Sequence, residues 1–174
     1  TADCADNIGL RGDSAGGNLA AAVAHAARTQ GRGRVVGVVL IYPGLGGDRT
    51  KGSYVEHANA PHLTRADLEF YETVRTGGAP PPQGDPRYAP LHDSNFSGLP
   101  PTVLITAECD PLASDGGDYR DAICAAGGKA HWSNVSGMVH ACLRARNMSS
   151  KAAGFFDEVV DGIAALGRGE WPYE

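Results

Sequence analysis

Ile8-Gly9-Leu10-Arg11-Gly12-Asp13-Ser14-Ala15-Gly16-Gly17-Asn18-Leu19-Ala20 is the stretch whose reading decides the fold. Ile8-Gly9-Leu10 reads as a short apolar strand, and Leu19 to Ala24 as a helix. Between them Gly12, Ser14 and Gly16 fill the pattern Gly-x-Ser-x-Gly. A serine at the tip of a sharp strand-to-helix turn needs neighbours without side chains two residues to either side, because strand and helix approach closely there. The bare pattern is weak; the flanking strand and helix and the longer run Asp13–Asn18 make it specific. The competing reading is a glycine-rich turn whose serine caps the helix.

Around this stretch the composition is that of an ordinary globular chain. With 174 residues it is long enough for one domain with a real core. A hydrophobic share of 42% with 7% aromatics fits that class. A formal charge of -5 argues against nucleic acid as the main partner, since phosphate binding needs a basic face. No apolar run reaches the length of a membrane span or resembles a signal-peptide core. Cys4, Cys109, Cys124 and Cys142 show neither Cys-x-x-Cys nor zinc-ligand spacing, so no metal and no cofactor is expected, and free thiols in a reducing cytoplasm are. The chain opens Thr1-Ala2-Asp3, with no initiator methionine and a functional strand almost at once, and so reads as a piece of something longer.

Glycine and proline punctuate the rest into alternating units. Strands are expected at Ile8–Arg11, Val35–Ile41, Thr102–Ala107 and Ala130–Val135, the last near a sheet edge. Helices are expected from about Ala15 to Gln30 (stopped by Gly31 and Gly33), Thr64 to Arg75, Ser114 to Ala126 (stopped by Gly127-Gly128) and Ser149 to Leu166. In the first helix Leu19, Val23 and Ala26/Ala27 recur at helical spacing. The last is expected to bury Phe155/Phe156, Val159/Val160 and Ile163. Residues 43–100 are irregular apart from the helix capped by Thr64 with Asp67 in its first turn. The β-branched run Val35–Ile41 suits a strand covered on both faces. Strands alternating with helices make a parallel sheet with right-handed crossovers.

A serine hydroxyl is a poor nucleophile at neutral pH and needs a base, usually histidine, oriented by a carboxylate. In parallel sheets such residues lie at the carboxyl ends of strands. That rule selects Asp110, just past Thr102–Ala107, and His140, just past the strand ending at Val135. The order Ser14, Asp110, His140 is the nucleophile–acid–base order of α/β-hydrolases. Asp110 before Pro111 also suits a turn-capping role, and Glu108 competes with it as the orienting acid. Asp13 is expected to face away in a structural hydrogen bond. His25 is expected to be partly exposed on the first helix, His57, His62 and His92 to lie solvated or along a pocket, and His131 to point away from the His140 loop. Ala15, after the nucleophile, supplies one oxyanion N–H at the positive end of the helix. Gly46-Gly47 follows the nucleophile strand rather than preceding it, so it is not the second donor loop.

These residues resemble the hormone-sensitive-lipase-like branch of the α/β-hydrolases, the bacterial family IV esterases. The matching pieces are Gly12 to Ala20, Tyr42-Pro43, Arg87-Tyr88-Ala89-Pro90-Leu91, Leu99-Pro100-Pro101, Glu108 to Leu112 and Gly137 to His140, in the right order over nearly the whole chain. The resemblance implies an α/β-hydrolase fold of which this is the C-terminal half, about four strands of a mostly parallel sheet flanked by helices. It implies Ser14 as nucleophile, Asp110 as acid, His140 as base, and hydrolysis of small-molecule, short acyl esters through an acyl-enzyme. Where the family usually has glycine after the histidine, Ala141-Cys142 follow. The family's cap and its His-Gly-Gly-Gly oxyanion loop are expected to precede Thr1. Loss of one oxyanion donor typically costs roughly 10²–10³ in rate, so these residues alone are expected to be weak or inactive. The strand Ile8–Arg11, interior in the family, becomes a sheet edge with a helix face lacking its partner. An amidase or peptidase on the same fold and a receptor-like, non-catalytic member are the competing functions; receptor-like members lose the base, whereas His140 is present. Oligomeric state is open.

Overall fold

The computed structural model describes residues 7–30 and 34–173. Four parallel strands, β1 (Asn7–Asp13), β2 (Arg34–Ile41), β3 (Thr102–Cys109) and β4 (Ala130–Val139), form one sheet in the order β1-β2-β3-β4. Helix α1 (Ala15–Gln30) joins β1 to β2, α4 (Ala113–Ala125) joins β3 to β4, and α5 (Ser150–Gly167) follows β4. The long β2–β3 connection carries α2 (Ser53–Glu56) and α3 (Arg65–Thr76).

The two faces of the sheet follow from the period of two in its strands. Val38, Leu40 and Leu104 meet Ala20, Ala21 and Ala24 of α1 and Tyr119 and Ile123 of α4. Val39, Ile41, Val103 and Ile105 point the other way, onto Phe155, Val159 and Leu166 of α5. Helices on both faces are why β2 and β3 read as unbroken apolar runs. Close approach on the α5 side depends on Gly37, where a Cβ would lie 2.7 Å from that of Leu166.

Several expectations are corrected. The buried residues of α1 include Ala20, Ala21, Ala22, Ala24 and His25, while Leu19 and Val23 are 60% and 49% exposed. Small residues let the helix lie close on the sheet, and the larger pair falls on its outer side. In α5 one member of each apolar pair is buried, Phe155 and Val159, and Phe156 and Val160 face outward. Phe155 and Val159, four residues apart, share the inner face at the helical period. His25 is buried, not partly exposed. β4 runs four residues further than expected, and α2 is an additional helical turn. β1 pairs only with β2, so it is a sheet edge among the described residues, with Ile8 exposed. Thr64 caps α3 as expected: its hydroxyl accepts from the Asp67 N–H (3.1 Å), and Asp67 accepts from the Thr64 N–H (2.9 Å). The helix stop at Gly31 and Gly33, and Cys4, lie outside the described residues.

Candidate active site

Ser14 is the single residue between β1 and α1, and its backbone is left-handed at φ +51°. A non-glycine residue there stores about 1–2 kcal/mol of strain, held by the surrounding structure. The restraint is visible: the Ser14 N–H donates to the Ile41 carbonyl (2.9 Å), and the Ser14 carbonyl accepts from the Asn18 N–H (3.1 Å). Crowding at the turn falls on Gly12 and Gly17 rather than symmetrically about the serine. A Cβ on Gly12 would lie 2.1 Å from the Gly16 oxygen, and one on Gly17 2.9 Å from the Pro43 side chain. At Gly16 the nearest atom would be 3.8 Å away, so Gly16 is not sterically required.

The structure brings Ser14, Asp110 and His140 into one hydrogen-bonded chain. The His140 Nδ1–H donates to Asp110 Oδ2 (2.6 Å), which leaves Nε2 to accept from the Ser14 hydroxyl (2.8 Å). Asp110 is fully buried and His140 nearly so, at 0% and 7% exposure. Asp110 also fills the turn role: its Oδ1 accepts from the Leu112 N–H (2.9 Å). One oxygen of this aspartate thus faces the imidazole and the other serves the turn, while the following helix starts from Leu112 with no side-chain cap. Ala15 opens α1, where backbone N–H groups lack helical acceptors and the dipole is positive.

A bulge places His140. Pairing steps from Ala107↔Val135 to Cys109↔Val139, so β4 advances four residues while β3 advances two. Glu108 spans the bulge, its Oε2 accepting from the Gly137 N–H (2.7 Å) and the Ser136 hydroxyl (3.0 Å). Those bonds hold its carboxyl below the usual range. Glu108 thus braces the strand that leads to the histidine, and of the two carboxylates it is Asp110 that bonds the imidazole. Beyond His140, Ala141 is left-handed at φ +60°, the conformation that glycine adopts most cheaply. Tyr42, itself at φ +34°, packs its ring 4.8 Å from that of His140 and 5.9 Å from that of Phe155. Burial pushes the Cys142 thiol up to about 11, so it stays protonated beside the site.

The other candidates lie elsewhere. Asp13 is exposed to solvent at the strand end. His57 lines a shallow hollow with Val55, Pro61 and Cys109, and His62 and His92 are exposed. His131 stacks on Tyr173 with ring centroids 4.1 Å apart, away from the loop of His140. Among the described residues no cluster of three or more histidine, cysteine or carboxylate side chains is placed to hold a metal.

The signature of the α/β-hydrolase fold matches residues 2–144. The carboxylesterase NlhH of Mycobacterium tuberculosis is 34% identical over 163 residues, covering 92% of this chain and 50% of that protein. Ethyl acetate hydrolase of Pseudomonas putida is 29% identical, covering 91% of this chain and 50% of that enzyme. The crystal structure of EstE1, a thermostable carboxylesterase cloned from a metagenomic library, superposes with a TM-score of 0.78 at 30% identity, over 96% of this chain and 56% of that one. The chain spans about half the length of the curated relatives it matches. With its four-stranded parallel sheet, its strained serine turn and these matches, the chain belongs to the α/β-hydrolase family, in the hormone-sensitive-lipase-like branch.

Proposed function

We propose that this chain carries the catalytic centre of a serine carboxylesterase acting on short acyl esters. The observation that carries the reading is the chain Asp110–His140–Ser14, closed by bonds of 2.6 and 2.8 Å at the carboxyl ends of three strands. The Ser14 oxygen attacks the ester carbonyl carbon while its proton passes to His140 Nε2. Asp110 holds the imidazole in the required tautomer and favours the imidazolium that forms. The Ala15 N–H donates to the oxyanion at the positive end of α1. Collapse of the tetrahedral species breaks the carbon–alkoxy bond, and His140 returns its proton to the departing alcohol. Water then attacks the acyl-serine through the same base, releasing the acid and restoring the Ser14 hydroxyl. The small-ester substrate class is supported by the relatives named carboxylesterase and ethyl acetate hydrolase. Among the described residues no helix is long and apolar enough to cross a membrane.

The test is labelling of the protein, expressed from its own gene, with a fluorophosphonate probe. Ser14 is expected to take the label and Ser14→Ala to lose both label and turnover of p-nitrophenyl acetate. A folded protein in which Ser14 stays unlabelled refutes the hydrolase reading.

A further inference from the structure

One fully buried carboxylate takes no part in the reaction yet stands in the first turn of α4, directly after the turn that carries Asp110. Asp115 gathers three donors on its Oδ2: the Leu45 N–H (2.6 Å), the Gly47 N–H (3.4 Å) and the Tyr54 hydroxyl (3.0 Å). Its Oδ1 has no hydrogen-bond partner among the described residues and lies against Gly47, where a Cβ would come within 2.2 Å of it. Three donors and no acceptor suit an acceptor-only group.

The elements so gathered flank the serine. Residues 44–47 continue from β2, whose Ile41 carbonyl accepts from the Ser14 N–H. From the α1 side, Asn18 Nδ2 donates to the Gly44 carbonyl (2.8 Å) and Pro43 abuts Gly17. Among the described residues of α4, only Asp115 hydrogen-bonds Leu45 and Gly47 through its side chain, while Tyr119 and Ile123 share the apolar core with Leu45. Helix α2 is tied to the Asp110 turn in parallel: the Ser53 hydroxyl donates to the Pro111 carbonyl (2.7 Å) and accepts from the Ser114 N–H (2.9 Å). Burial raises the Asp115 carboxyl to about 6, against the pull of its three donors, and Asp118 adds to the rise. Among the described residues no lysine, arginine or histidine forms an ion pair with it. What this buried oxygen does is accept from Leu45, Gly47 and Tyr54, and so tie the 44–47 loop and α2 to the start of α4.

We propose that Asp115 is a positioning residue for the hydrolysis assigned to Ser14: it fixes the 44–47 loop and α2 against the turn that carries Asp110. The proposal rests on the serine-hydrolase reading.

The experiment compares Asp115→Ala, Asp115→Asn and Tyr54→Phe in the protein expressed from its own gene. Two quantities are measured: the rate at which Ser14 takes a fluorophosphonate, and amide hydrogen exchange at Leu45 and Gly47 against Leu104 and Ile105 in β3. Asp115→Ala is expected to slow labelling about tenfold or more and to speed exchange at Leu45 and Gly47 while β3 is unchanged, since local opening is separable from global unfolding. In Asp115→Asn the amide oxygen can keep all three donors, with the NH₂ in the place of the unpartnered oxygen, so labelling stays within about threefold of the parent. Asp115→Ala labelled at the parent rate overturns the proposal. So does a loss of rate matched by faster exchange throughout β3, the mark of a purely structural role. If Asp115→Ala does not fold, Tyr54→Phe decides: slower labelling with faster exchange at Leu45 supports the proposal, and labelling at the parent rate overturns it. A parent protein that takes no label at all overturns the hydrolase reading itself, a result distinct from any of these.

Discussion

Two histidines in this molecule stand between a carboxylate and a hydroxyl with nearly the same geometry. His140 donates from Nδ1 to Asp110 at 2.6 Å and accepts at Nε2 from Ser14 at 2.8 Å. His25 donates from Nδ1 to Asp93 at 2.5 Å and accepts at Nε2 from Tyr119 at 2.9 Å. Both rings are buried, so burial of the base does not separate them. The hydroxyls do. Ser14 sits half-buried on a strained turn at the positive N-terminal end of α1. Tyr119 is 1% exposed inside α4, and burial raises its phenol further from ionisation. The carboxylates differ too. Asp93 is shared with Arg28, whose guanidinium donates to it at 2.9 Å and to the Asn95 carbonyl at 2.6 Å. Among the described residues, the second oxygen of Asp110 accepts from the Leu112 backbone N–H and no cation shares it. Under the proposed function the same acid–imidazole–hydroxyl wiring serves as a reactive centre at one place and as a staple between α1, α4 and the 93–97 loop at the other; access and the helix N-terminus distinguish them.

The largest effect should separate the two hydroxyls. Ser14→Ala should cost about 10⁴–10⁶ in p-nitrophenyl acetate turnover with little change in a denaturant melt. Tyr119→Phe should leave turnover unchanged and lose about 1 kcal/mol of stability. A Tyr119→Phe protein that loses turnover while fully folded would break the distinction.

Next comes the imidazole of the staple. His25→Leu leaves Asp93 and the Tyr119 hydroxyl without their buried partner, and a loss of about 3 kcal/mol is expected from urea unfolding. Ser14 labelling in the folded protein should be unaffected. His25 has no local signal in the sequence: its partners lie 68 and 94 residues away, in a loop and on another helix. That is why helical position alone suggests an exposed residue there. His140 and Asp110 were legible because strand ends mark them, and Ser14 because its turn demands glycine at Gly12. Asp115 was missed for the opposite reason, as an aspartate in a first helical turn ordinarily signals only a dipole contact. The bulge that extends β4 rests on side-chain bonds from Glu108 across to the neighbouring strand, which no one-dimensional pattern encodes. The outward turn of Leu19 and Val23 was equally invisible, because periodicity gives a face and not its direction.

The pH dependence of stability sharpens the contrast between buried acids and bases. Burial, the largest influence, lowers the folded pKa of His25 despite Asp93. Its stability contribution is present above the unfolded value near 6.5 and is lost as pH falls below it. Asp115 runs the other way: burial, with Asp118 adding, raises it from 3.8 to about 6 against the bonds from Leu45, Tyr54 and Gly47, so its contribution is present below about 4 and lost as pH rises through 6. That shift corresponds to about 3 kcal/mol between pH 4 and pH 7. Asp115→Asn should therefore gain stability relative to the parent as pH is raised over that window, and His25→Leu should lose the parent's acid-side decline. Unfolding free energies at pH 4, 5.5 and 7 test both; parallel curves for the parent and Asp115→Asn would sink the assignment of a raised acid.

The smallest effect concerns the backbone that delivers each base. His25 rides on a regular helix, whereas His140 is followed by Ala141 in the left-handed region at φ +60°, ψ +20°. An L-residue there pays roughly 1–2 kcal/mol, of which part returns when glycine's greater freedom in the unfolded chain is counted. Ala141→Gly is therefore expected to gain about 1 kcal/mol or somewhat less in denaturant unfolding. Turnover should be preserved, because the histidine is fixed independently by Asp110 on one side and by the Glu108-braced bulge on the other. A gain in stability accompanied by lost turnover would mean that strain at Ala141 helps hold the imidazole against Ser14. The reactive relay would then differ from the staple in its backbone as well as in its hydroxyl.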